Sequence, residues 1–209
     1  MRGDPEPSRR VGLLGGTFDP IHTGHLILGE AARQELALER VIFMPAGEPW
    51  RKAGRELAPA RHRLAMVRLA IAGNPHFEVS TLEVERPGPS YTADTLAVLK
   101  DELGPGIELL FIIGRDSLAD LPHWKEPQRI IAQARLAVAE RPGWPPPPDE
   151  ALERALPGVR ARLTTFPMPA VEISSSEIRR RCREGRSIRY LVPAAVADYI
   201  RDQSLYSTA

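Results

Sequence analysis

Short apolar runs alternate along this chain with longer segments whose apolar residues recur at helical spacing. Val11-Gly-Leu-Leu-Gly15 is apolar and ends in glycine, as a buried strand entering a tight turn would. From Gly24 to Leu38 the positions Leu26, Ile27, Ala31 and Leu36 fall close to helical spacing, and Val41-Ile-Phe-Met44, closed by Pro45, predicts a second buried strand. A helix over 59–72 places Leu64, Val67 and Ile71 on one face and arginines on the other, and Asn74-Pro75 breaks it. Alternation over 77–84 predicts a third strand, 91–103 a helix stopped at Gly104-Pro105, and 107–113, the most apolar run, a fourth strand. Helical segments at 117–120 and 127–133, a strand at 136–139, a short helix near 150–155 and a strand near 162–166 follow. A helical region from Ser174 to about Tyr206, broken near Pro193, closes the chain.

This alternation predicts an α/β fold: a three-layer, Rossmann-like domain with a mostly parallel sheet and helices on both faces. Right-handed crossovers would place a ligand crevice beyond the carboxyl ends of the strands. The expected organisation is a loose tail at 1–9 and one domain over 10–209, with its helical C-terminal part at about 174–206. The run Gly143-Trp-Pro-Pro-Pro-Pro148 should be an extended surface loop in polyproline form.

Composition narrows the function. A net charge of +1 gives no global sign of nucleic-acid binding, and positive charge gathers locally at Arg179, Arg180, Arg181, Arg183, Arg186 and Arg189. One cysteine, Cys182, excludes a disulfide framework and fits a reducing cytoplasm. The polar start has no apolar core for a signal peptide, and no apolar run is long enough for a membrane span. The chain reads as cytoplasmic, with no nucleic-acid or membrane partner, and is compatible with a homo-oligomer.

The chemistry concentrates in Gly15-Gly-Thr-Phe-Asp-Pro-Ile-His-Thr-Gly-His25, between the first strand and the first long helix. Paired glycines admit a close backbone approach, and Gly24 lies near a helix start that favours an anion. His22 and His25, three apart, can share a helical face. The segment has neither the Lys and Ser/Thr of a P-loop nor G-x-G-x-x-G. By residue type alone it is a phosphate-handling surface, a capped glycine turn, or half of a zinc site without evident third and fourth ligands. Later, Ile173-Ser-Ser-Ser-Glu-Ile-Arg179 combines a serine-capped helix start, with a capping box from Ser174 to Glu177, and a guanidinium one turn on.

Gly16-x-Phe18-x-Pro20-x-His22-x-Gly24-His25 resembles the signature of the HxGH nucleotidyltransferases, and Ile173 to Arg179 resembles their second signature. The resemblance implies transfer of a nucleotide from a nucleoside triphosphate with release of pyrophosphate. His22, His25 and Arg179 would stabilise the phosphates, and the acceptor's own phosphate would attack in line. Gly15, Gly16, Thr17, Phe18, Gly24, Gly114, Asp116 and Arg141, with Ile173, Ser174 and Ser175, would bind ATP.

From about Val11 to Tyr206, nearly its whole length, the chain is similar to bacterial nicotinate-nucleotide adenylyltransferases. The matching stretches are Pro89-Ser-Tyr-Thr-Ala-Asp-Thr-Leu96, Phe111-Ile-Ile-Gly-Arg-Asp-Ser-Leu118, Leu121-Pro-His-Trp124, Ala139-Glu-Arg-Pro-Gly143 and Tyr190-Leu-Val-Pro193. This implies AMP transfer from ATP to nicotinate mononucleotide in NAD biosynthesis, with Mg²⁺ carried by ATP. The helix start at Ser90, Tyr91 and Thr92 would accept the nicotinate carboxylate, and Trp124 would stack on the pyridine ring. Arg51 and Lys52 would hold the acceptor phosphate, although Pro49-Trp-Arg-Lys52 departs from the family's Pro-Pro-His-Lys. The rivals are the same chemistry on nicotinamide mononucleotide or pantetheine phosphate, and a non-catalytic nucleotide sensor.

Overall fold

The computed structural model describes residues 9–52, 54, 56–140 and 149–207. The predicted polyproline loop, most of the predicted tail and Arg141 lie outside the described residues. Among the described residues there are six strands: β1 (Arg9–Gly16), β2 (Arg40–Pro45), β3 (Phe77–Val79), β4 (Ile107–Ile113), β5 (Arg135–Glu140) and β6 (Leu163–Pro167). They form one sheet in the order β3-β2-β1-β4-β5-β6, and every pairing is parallel.

Alternate residues of the strands enter two cores. Leu13, Met44 and Phe111 face α4 (Thr92–Leu103), α6 (Pro127–Gln133) and α7 (Asp149–Ala155); Leu14, Phe43 and Ile112 face α1 (Thr23–Glu35), α2 (Ala60–Ile71), α8 (Ser175–Arg183) and α9 (Ala194–Asp202). Burial on both faces is why the central strands read as unbroken apolar runs. The strand order reverses direction between β1 and β4, so a crevice opens beyond their carboxyl ends. Among the described residues no helix is long and apolar enough to cross a membrane.

Three expectations need correction. The strand expected over 77–84 stops at Val79. Ser80 makes the last link, its N–H donating to the Phe43 carbonyl, and its hydroxyl then accepts from Leu82 N–H and starts α3 (Leu82–Glu85). Arg63 of α2 is not on a polar face; it is 2% exposed, while Leu64 is only partly buried. Arg9, assigned to the tail, opens β1 and pairs with Glu39.

Candidate active site

β1 delivers Gly15-Gly-Thr17 to the crevice, and the chain then turns into α1, with His22 as its N-cap and His25 in its first turn. The His22 N–H donates to His25 Nδ1 (3.2 Å), and the two imidazoles stack with centroids 3.7 Å apart. Because Nδ1 accepts, neutral His25 carries its proton on Nε2. Phe18, expected among the ATP contacts, is 2% exposed and lies edge-on beneath His25 at 5.0 Å, so its ring acts as a support. Gly24 has a steric reason: a Cβ there would sit 3.1 Å from His22 Nδ1. His22 is 7% exposed, and burial lowers its pKa to about 4. The helix start is partly occupied, since the Thr23 N–H donates to the Leu191 carbonyl at 2.9 Å.

The second motif docks on the first. Ser174 caps α8 by accepting from the Glu177 N–H (3.2 Å). The expected capping box is half formed, because the Glu177 carboxylate turns instead to Arg180 and Arg181, whose charges outcompete a backbone N–H. Ser175 Oγ donates to the Pro20 carbonyl (2.9 Å), and Ile173 lies against Gly24. Arg179 Nη1 donates to the Asp19 carbonyl (2.6 Å) and stands 3.6 Å from Asp19 Oδ2.

Asp19 and Arg63 anchor this junction. Asp19 is 1% exposed, and its Oδ1 accepts from Tyr206 Oη (2.7 Å) and the Ala58 N–H (3.2 Å). Arg63 donates to the carbonyls of Ala58, Thr17, Ala46 and Gly47, tying the loop after β1 to the loop after β2. Burial lowers the Arg63 pKa, against the opposing charge of Asp19.

Beside this junction lies a cavity of about 300 Å³. Leu13, Met44 and Phe111 line its base, and Gly15, Gly16 and Thr17 form the edge shared with the histidine loop. One wall holds Glu83, Ser90, Thr92 and Thr95; the other holds Ser117, Asp120 and Trp124; and Trp50 with Arg51 closes over them. Tyr91 is the N-cap of α4, with Thr92 its first residue. The buried Ser90 hydroxyl accepts from the Gly47 N–H (3.1 Å), so it fastens the wall. Glu83 accepts from Thr95 Oγ1 (2.6 Å), and burial raises its pKa. Trp124 meets Phe111 edge-on at 6.1 Å and donates to Asp120 Oδ2 (3.3 Å). Lys52 ends the short 3₁₀ turn that carries Arg51. Gly114 is the N-cap of α5 (Arg115–Asp120); Asp116, in its first turn, is exposed and does not line the cavity. Among the described residues no three metal-ligating side chains gather.

The family model described as cytidylyltransferase-like matches residues 13–181. A Thermomicrobium roseum protein named "probable nicotinate-nucleotide adenylyltransferase" is 51% identical over 95% of this chain and 92% of its own. One of the same name from Roseiflexus sp. is 50% identical over 95% and 98%. The chain belongs to this nucleotidyltransferase family, in its nicotinate-nucleotide adenylyltransferase branch. The fold agrees with a solved structure titled as the Plasmodium falciparum nicotinic acid mononucleotide adenylyltransferase complexed with NaAD. Its TM-score is 0.75 at 20% identity, covering 95% of this chain and 97% of that one.

Sequence reasoning missed Asp19, Arg63, Glu83, Asp120 and Tyr206. Asp19 lies inside the first family signature, between Phe18 and Pro20, which was a usable signal. The others are brought to the site by contacts distant in sequence.

Proposed function

We propose that the protein transfers AMP from ATP to nicotinate mononucleotide, giving nicotinate adenine dinucleotide and pyrophosphate. The observation carrying this is the docking of α8 on the histidine loop, through Ser175 and Arg179, directly beside the cavity. A phosphate oxygen of the mononucleotide attacks the α-phosphorus of ATP; the bond to the β-phosphate oxygen breaks in line, and pyrophosphate leaves. His25, and His22, neutral at pH 7, act as hydrogen-bond donors to the charge that builds on the α-phosphate and leaving group. Arg179 holds the leaving phosphates, exchanging its contact with Asp19 for them.

The acceptor's ring lies against Trp124, its carboxylate faces the first turn of α4 at Tyr91 and Thr92, and its phosphate meets Arg51. Lys52, next in sequence, is the second cation that the family resemblance assigns to that phosphate. Asp19 is engaged by Tyr206, Glu83 by Thr95, and Asp120 by Arg51. With these carboxylates committed, magnesium is carried by the triphosphate and water, which suits an ion that keeps several waters. A cytoplasmic setting, without a nucleic-acid or membrane partner, completes the reading. The test is pyrophosphate release from ATP with nicotinate mononucleotide, nicotinamide mononucleotide or pantetheine phosphate as acceptor. Fastest turnover with the first is expected; preference for either other acceptor, or no release with any, overturns the assignment.

A further inference from the structure

Asp120 ends α5 and lines the cavity beside Trp124. Its Oδ2 accepts from Trp124 Nε1 and forms an ion pair with Arg51, while Oδ1 lies 3.7 Å from Nδ1 of the exposed His123. Arg51 comes from the loop after β2 and Asp120 from the helix after β4, so the pair bridges the crevice. Arg51 also lies 5.5 Å over the Trp50 ring, which in turn meets Tyr91 at 5.9 Å. Tyr91, Trp50, Arg51, Asp120 and Trp124 thus form an arch over the cavity, with the ion pair as its central link.

Both partners of that link are 38% exposed. Water screens such a pair, and its partners exchange readily. A phosphate dianion offers the guanidinium more charge than a carboxylate and supports bidentate contact. We infer that Asp120 is the resident counter-ion of Arg51: it holds the guanidinium across the cavity and is displaced from it by the acceptor's phosphate. This rests on the acceptor reading above.

Asp120→Asn keeps the side chain's size and an oxygen for Trp124 Nε1 but removes the competing charge. Two effects then oppose each other. Arg51, released, has to be ordered again on binding, which weakens affinity. The carboxylate no longer competes for Arg51 or repels an anionic ligand in the same small cavity, which strengthens it. The second acts on a doubly charged group at short range and outweighs the ordering of one side chain.

The experiment is calorimetric titration of nicotinate mononucleotide into wild type, Asp120→Asn, Arg51→Met and the double variant, each checked for an unchanged urea midpoint. Asp120→Asn should lower Kd about three- to tenfold. Arg51→Met should raise it, and the double variant should bind like Arg51→Met alone. Affinity for ATP should stay the same in all four. A Kd within twofold of wild type, or higher than wild type, in Asp120→Asn overturns the inference, as does a double variant that keeps the gain. Ribose 5-phosphate, which has the phosphate without the ring, separates the two readings. The same order of affinities with it supports the exchange even if nicotinate mononucleotide fails to bind, which counts against the acceptor assignment alone.

Discussion

The two sides of the crevice are built from different materials. On the histidine side the polar groups that set the geometry are buried: Asp19 is 1% exposed, Arg63 2% and His22 7%. Their partners are mostly backbone carbonyls and N–H groups from three or four separate segments. On the acceptor side the closing contacts are the half-exposed Arg51–Asp120 pair and ring contacts near 6 Å. A buried polar network loses a great deal when one member goes, because the others are left without partners or water. An exposed ion pair contributes little and exchanges easily. The difference suits the two tasks, since in-line transfer needs fixed donors whereas the acceptor must enter and leave.

The largest effect should follow from Arg63→Met, which leaves four carbonyls without their shared donor, that of Ala46 in a buried setting. A loss of about 3 kcal/mol or more is expected, read as a lower urea midpoint. A midpoint close to wild type would erase the energetic contrast between the two sides.

Next comes His25→Ala. The side chain is fixed between His22 and Phe18, so removing a preorganised donor should lower kcat roughly 10²–10³-fold. Acceptor affinity should change little, which the two-sided architecture requires; a mutant that mainly raises the acceptor KM would contradict it.

Why the sides differed in legibility follows from the same contrast. The sheet was readable because strands buried on both faces need continuous apolar residues, and the two family signatures are compact in sequence. How the two signatures meet was not readable: α8 docks on the carbonyls of Pro20 and Asp19 through Ser175 and Arg179, contacts that span more than 150 residues. Arg63 was not readable either: on a helical projection it is one more arginine of α2, and its partners, the carbonyls of Thr17, Ala46, Ala58 and Gly47, come together only in the fold. Glu83 was misread because alternation continued past Ser80, whose hydroxyl ends the strand and starts α3. Asp120 carries no local signal at all; its importance lies in facing Arg51 across the crevice.

A third prediction concerns acid stability on the histidine side. Burial lowers the His22 pKa to about 4 from an ordinary value of 6.5. The folded protein therefore binds this proton less readily than the unfolded chain. Above pH 6.5 both forms are neutral and the group has no effect; as pH falls from 6.5 towards 4 the unfolded state gains protons and stability drops. The full drop is about 3 kcal/mol, flat at lower pH. Comparing urea midpoints against pH for wild type and His22→Gln isolates it: the variant should lack this part of the slope, and equal slopes would remove His22 as the cause.

The smallest effect belongs to Trp124→Ala, and it sharpens the acceptor side most. Nicotinate and nicotinamide mononucleotides present the same ring to the indole, so stacking should favour both equally. Their difference is a negative charge in place of a neutral amide of similar shape, which only electrostatics can sense. The first turn of α4, at Tyr91 and Thr92, supplies a positive dipole end, and an amide would turn its own NH₂ donors towards N–H donors there. Losing the indole should raise KM for both acceptors by a similar factor, about five- to tenfold for a cation–π contact with a half-buried ring. The ratio of kcat/KM for acid over amide should stay within about twofold of the wild-type ratio, since charge recognition and stacking act on different parts of the ligand. A ratio that collapses towards one would move the discrimination from the helix start to the tryptophan, and with it the reason for the α4 wall.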